Sequence, residues 1–159
     1  MPTHRVSAID HSIEMTHIWL NDLMAELGSE DRRYGYRVMK AVLHAVRDGL
    51  PVDEAAHLAA QLPELIRGIY YEGWDPSRTP ARYRDSKPFL DRIAAEASLA
   101  GDSEASYAAE AVLAVVRKHI SAGEFEQVMH MLRAPVQAVV RPGDARPRPA
   151  PDWAETLIA

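Results

Sequence analysis

Apolar residues recur at steps of three and four along most of the chain. Between positions 38 and 50, Val38, Val42, Leu43, Val46 and Leu50 draw one stripe on a helix. Leu58, Leu62, Leu65, Ile66 and Ile69 repeat the pattern, as do Leu20, Leu23, Met24 and Leu27 nearer the start. No stretch sustains a period of two, so strands are not expected. Gly- and Pro-containing breaks fall at 28–29, 49–52, 73–87, 101–102 and 121–123. They leave six helical stretches, near 10–27, 32–48, 53–70, 88–98, 103–119 and 122–140. Ser121 and Glu124 have capping-box spacing. Asp53 and Glu54 put negative charge at a helix start, where the macrodipole favours it.

The pattern also repeats. Sliding the chain by about 70 residues lays 19–70 on 89–140 without a gap. Leu20 meets Leu90, Ala41-Val42-Leu43 meets Ala111-Val112-Leu113, Glu54 meets Glu124, and Leu62 meets Leu132. The expected fold is therefore all-α: a six-helix bundle from two duplicated three-helix units, each covering the other's apolar face. One domain spans 1–140, with half-repeats at about 10–70 and 88–140 and a Pro/Arg-containing connection at 71–87. Pro63 and Pro135 interrupt helices three and six and should bend or split them. They lie two positions apart in the repeat register, so a small indel is expected before Pro135. Residues 141–159 contain RPGDARPRPAPDW, a composition suited to an extended Pro-rich tail. The core should draw on Leu20, Leu23, Val42, Leu43, Val46, Leu58, Leu62, Ile66, Phe89, Ile93, Val112, Leu113, Val116, Val128 and Leu132.

Composition narrows the function classes. The 159 residues include no cysteine, which removes disulfides, thiolate metal sites and thiol nucleophiles from consideration. No apolar run is long enough to cross a membrane, and the opening MPTHRVSAIDHS does not read as a secretory signal. A cytoplasmic location is expected. The net charge of −5 opposes general attraction to nucleic acid. Arg78, Arg82, Arg84, Lys87 and Arg92 crowd the connection, and Arg141, Arg146 and Arg148 punctuate the tail. The plainer reading is arginines solvating loops or pairing with acidic neighbours. The 15 Arg against three Lys suggest a GC-rich bacterial genome, which is a coding bias and no mechanism.

The segment HLAAQLPELIRGIYYEGWDPSR, 57–78, carries a resemblance. Ala59, Ala60, Gln61, Leu62, Pro63, Arg67, Tyr70, Gly73 and Trp74 match the signature that follows the third helix in the bacterial family known as domain of unknown function 2267. The preceding AVLHAVRDGLPVDEA also resembles that family. The resemblance covers roughly 12–140 and implies an all-helical, duplicated domain. It brings no activity, ligand or catalytic residue. The second half departs from the signature, with Arg133-Ala134-Pro135 in place of Gln-Leu-Pro, so a binding feature there would belong to the first half alone.

Candidate chemistry is sparse. Arg67, Tyr70, Tyr71 and Trp74 cluster at the end of helix three, and aromatics beside an arginine are common in binding hot spots. They are also what would plug the seam where the connection leaves the bundle. Gln61 either joins that surface or satisfies backbone groups freed by Pro63. Glu14 with His17 and Glu54 with His57 have E-x-x-H spacing, which puts a carboxylate and an imidazole on one helix face. Capping already explains Glu54, and two further inward glutamates are missing, so these pairs are weak metal ligands. None of the seven histidines has a nucleophile context, and no phosphate-binding loop is present. His44 and His130 sit near apolar stripes as hydrogen-bonded core or boundary histidines. The tail ends in Trp153, Leu157 and Ile158, the layout of a short docking peptide on a flexible arm. The function these features favour is a non-enzymatic cytosolic binding or adaptor module. Its partner would be a protein or small ligand at 67–74 or a protein at the tail. It needs no cofactor, catalytic residue, nucleic acid or membrane. The alternative is a metal- or small-ligand-binding bundle with a sensing or redox role. Oligomeric state is left open.

Overall fold

Two prolines decide how many helices the chain makes. The residue before a proline avoids helical dihedrals, and proline has no N–H to bond the preceding turn. Leu62 accordingly takes an extended conformation (φ −86°, ψ 145°) before Pro63. The expected third helix becomes α3, Val52–Gln61, and α4, Glu64–Tyr71. The expected sixth helix divides in the same way into α7, Ala122–Met131, and α8, Ala134–Val140. The other helices are α1, Ser7–Leu27; α2, Arg32–Asp48; α5, Ser86–Ala97; and α6, Asp102–His119. This computed structural model describes residues 4–141, and among them there are eight α-helices and no strand. The six-helix expectation is corrected to that extent.

The expected indel before Pro135 is absent. The third and seventh helices each span 10 residues, and the same two-residue gap follows both. Pro63 is the N-cap of α4, whereas Pro135 lies in the first turn of α8. A missing N–H costs little in either place, because the first N–H groups of a helix have no intrahelical partner. One break thus tolerates proline at two different positions.

Helix ends follow local chemistry. Gly28 ends α1 in the left-handed conformation (φ 64°), and Ser98 ends α5 in the same way (φ 57°). Asp31 caps α2 by accepting from the N–H groups of Arg33 and Tyr34, and Asp85 caps α5 by accepting from Lys87. The Ser121 hydroxyl accepts from the Glu124 N–H at 3.2 Å, which is half of the expected capping box.

The four long helices form the centre: α2 packs on α5, α1 on α6, and α2 also meets α6. α4 lies against α1 and α2, α8 against α5 and α6, and α3 meets α7. Fourteen of the fifteen expected core residues are buried; Leu20 is half-buried against the same cluster. On its stripe Ile69 is half-buried and Leu65 is exposed, at 46%. Restarting the helix after Pro63 changes its phase and turns Leu65 outward. Buried alanines, among them Ala41, Ala45, Ala105, Ala108 and Ala109, allow the long helices to approach closely. The connection between α4 and α5 is tied down. Its 3-10 turn, Pro76–Arg78, is capped by Asp75, and the buried Tyr83 donates from its hydroxyl to the Ala45 carbonyl at 3.3 Å.

Candidate functional site at the helix break

The 67–74 segment begins with a structural task. Helix α3 ends with carbonyls that have no intrahelical donor. Arg67 supplies donors from α4: Nε to Ala59 O at 2.8 Å and Nη2 to Leu62 O at 2.9 Å. Gln137, the fourth residue of α8 as Arg67 is of α4, donates from Nε2 to Leu132 O at 2.6 Å. Gln61, expected as one candidate for this work, is exposed at the end of α3, and Arg67 performs it instead.

Tyr70 is fully buried, and its hydroxyl donates to Ala55 O at 2.7 Å. Burial, then the neighbouring Tyr71, pushes its phenol far above the ordinary range, so it stays neutral. Tyr71 stands edge-on to Tyr70 with ring centroids 5.3 Å apart, and Trp74 lies 5.2 Å beyond it. Both are half-buried, and the Trp74 indole N–H is buried without a hydrogen-bond partner among the described residues. The five predicted ligand-binding residues therefore do not converge on one open surface. Arg67 and Tyr70 are used by the fold, Tyr71 and Trp74 seal the end of α4, and Gln61 faces solvent.

Sequence reasoning missed a buried polar network beside this segment. Arg47 is 2% exposed and donates from Nη1 to Tyr70 O at 2.7 Å and Glu72 O at 2.9 Å. Its Nε and Nη2 grip both carboxylate oxygens of Asp48, which also accepts from Arg92 Nη2 at 2.5 Å. Burial pushes the Asp48 carboxyl up, but hydrogen bonds from Arg47 and Arg92 outweigh it and hold the group below the usual carboxylate range. His44 is buried as expected, between Glu96 Oε1 at 2.6 Å from Nδ1 and Ile69 O at 2.7 Å from Nε2. The carbonyl can only accept, so Nε2 carries a proton. His130, expected near the core, is exposed. In sequence, Arg47 is a single polar residue on an apolar stripe, with no local signal to distinguish it from surface neighbours; the stripe placed His44 near the core, but its partners Glu96 and Ile69 lie 52 and 25 residues away.

The other candidates separate. Glu14 and His17 are exposed on α1, while His57 Nδ1 lies 3.5 Å from Glu54 Oε2 on α3. Among the described residues no group of three or more His, Asp or Glu side chains is placed to hold a metal ion. The basic connection is partly neutralised: Arg92 pairs with Asp48, Lys87 with Asp91 and Asp102, and Arg78 with Asp75. Trp153, Leu157 and Ile158, with Arg146 and Arg148, lie outside the described residues.

One exposed face of the first half of α1 has no structural task among the described residues. Among the described residues none before Trp19 is fully buried, although Met15 packs in part against the core, and Val6, Ile9, Ile13 and Ile18 are 56%, 58%, 43% and 38% exposed. Val6, Ile9 and Ile13 are three and four positions apart and continue through Thr16 to Leu20, which packs on the core. Among the described residues no helix is long and apolar enough to cross a membrane.

A family model described as "Uncharacterized conserved protein (DUF2267)" matches residues 16–139. No curated protein matches the chain.

Proposed function

Because the chain belongs to this uncharacterised conserved family, which brings no reaction with it, we propose that it is a non-enzymatic binding or adaptor module whose partner presents an apolar helix face. The observation that carries the reading is the exposed row made by Val6, the N-cap of α1, and by Ile9 and Ile13 in its first turns. Single exposed apolar residues are ordinary, whereas a row on one helix face is a candidate contact surface. Its spacing is that of a helix–helix seam, with Arg5, Asp10, Glu14 and His17 of both signs beside it. The depression that Arg5, Asp10, Ile13, Glu14, His17 and Ile18 line there is largely open to solvent, so the row favours a helical protein segment over a small ligand, which needs a more enclosed site. The tail with Trp153, Leu157 and Ile158 belongs to the proposal as a second protein contact. So does a bacterial, cytoplasmic setting, which rests on the cysteine-free, arginine-rich composition.

The test is a photoreactive residue at position 13 in the full chain, with crosslinked peptides mapped in the native cell. Crosslinks to the apolar face of a helical segment in another protein are expected. They should vanish in an Ile9→Ser variant whose thermal midpoint is unchanged, because substitutions at exposed sites usually stay within about 0.5 kcal/mol. No crosslink, or crosslinks only to a second copy of the chain, would refute the reading.

We also infer that the chain arose by internal duplication, with four helices in each unit. Support comes from the equal lengths of α3 and α7, the left-handed turns at 28 and 98, and the matching roles of Arg67 and Gln137.

A further inference from the structure

His44 of α2 is 5% exposed and makes two contacts that cross between helices: Nε2 to Ile69 O of α4 at 2.7 Å, and Nδ1 to Glu96 Oε1 of α5 at 2.6 Å. Each contact pairs a ring nitrogen with an oxygen, so each needs a proton. A neutral imidazole carries one, and the Ile69 carbonyl cannot supply another. With Nε2–H committed to Ile69 O, a bare Nδ1 would set its lone pair against a carboxylate oxygen at hydrogen-bond distance. The other tautomer only moves the conflict to Ile69 O. The joint therefore holds one proton more than a neutral imidazole and a carboxylate have between them. A carboxyl is ordinarily a stronger acid than an imidazolium by about two units. Glu96 also keeps 31% of its side chain exposed, so the proton sits on Nδ1. A buried imidazolium needs an anion beside it, and Glu96 supplies one.

The neighbouring charges leave this requirement in place. On α2, Lys40 bonds Glu72 at 2.8 Å, Arg37 bonds Ala97 O at 3.3 Å, and Arg47 bonds Tyr70 O, Glu72 O and Asp48. On α5, Arg92 bonds Asp48, and on α4 the Tyr70 hydroxyl donates to Ala55 O. Towards α1 and α6, α2 presents Met39 and Leu43, which meet Trp19, Val112 and Val116. A nearby cation can offset the charge of Glu96, but it cannot put a proton between Nδ1 and Oε1.

We propose that His44 and Glu96 form a proton-dependent clasp: with a proton on each ring nitrogen, His44 ties both α4 and α5 to α2, and loss of the Nδ1 proton frees the Glu96 end of α5. The clasp is complete at lower pH and is lost as pH rises and that proton leaves. Glu96 is the last residue but one of α5. Its side chain can therefore turn into water once the proton is gone, while Nε2–H still holds Ile69 O. The change is confined to the α2–α5 side of the joint, and the α2–α4 side stays closed.

The experiment follows the full chain from about pH 5 to pH 9. Nitrogen–proton NMR of the His44 ring should show both nitrogens protonated at the low end and Nδ1 bare at the high end. Amide hydrogen exchange, corrected for the intrinsic rate, should show opening of the last turn of α5 rising about tenfold over the same interval, the change expected for loss of one hydrogen bond to a charged group. The middle of α6 serves as the unresponsive reference. Glu96→Gln, whose amide N–H can donate to a bare Nδ1, makes the joint without an extra proton and should abolish the rise. A His44 ring that keeps one protonation state throughout, an α5 end that opens equally at both pH values, or an equal rise in Glu96→Gln would each overturn the clasp.

Discussion

Replacing Arg67 with methionine separates the structural from the recognition reading of the 67–74 segment. Methionine keeps the unbranched stem and removes every donor. Two hydrogen bonds disappear, of 2.8 Å to Ala59 O and 2.9 Å to Leu62 O, and the end of α3 loses its caps. A hydrogen bond from a charged group contributes about 1.5–3 kcal/mol. Arg67 is half-buried, and water can reach carbonyls it abandons. The lower end of the range applies, with partial recovery by hydration, and the loss for the pair comes to about 2 kcal/mol. For a urea slope of about 2 kcal/mol/M, the unfolding midpoint falls by about 1 M. Arg67→Lys should fall between the two, because one ammonium cannot reproduce the fork that spans both carbonyls. Gln137→Met should lose less, about 1 kcal/mol, because the donor is a neutral amide. Urea unfolding followed by far-ultraviolet circular dichroism measures all three. An Arg67→Met midpoint equal to that of the parent, at equal slope, would refute the capping argument and return Arg67 to the pool of recognition residues.

Leu43→Ala and Leu113→Ala, at sites 1% exposed in α2 and α6, should each cost about 2–5 kcal/mol by chemical denaturation; losses below about 0.5 kcal/mol at both would refute their placement in the core. Asp48→Asn should flatten the acid limb of the stability curve. The Asp48 carboxyl is lowered by folding, so its contribution is present above the ordinary aspartate value and lost as pH falls through the lower folded value. Thermal midpoints from about pH 2 to pH 6 test this, and an unchanged acid limb would refute it.

Much of the fold was legible because it depends on local periodicity. The bounds of α2 were read to the residue, and nearly all expected core positions are buried. Errors in the fold concentrate at the prolines. Periodicity carries across a break, so 53–70 read as one helix although Leu62 is extended and Leu65 is rotated outward. The candidate site was less legible. Arginine among aromatics is the composition of a hot spot, and it is equally that of a residue capping a neighbouring helix. Only the positions of the Ala59 and Leu62 carbonyls decide between them.

The sequence by itself determined the helical class, the repeat in hydrophobic pattern, most helix ends and the core faces. These follow from steric and solvation preferences acting within a few residues. The tertiary structure decided which polar groups face one another. Asp48 lies between Arg47, its neighbour in sequence, and Arg92, which is 44 residues away. Electrostatics and hydrogen bonding depend on distance in space and on the exclusion of water. A sequence supplies the charges but not the separation between them, so its apolar stripes could be read directly, whereas its buried ion pairs could not.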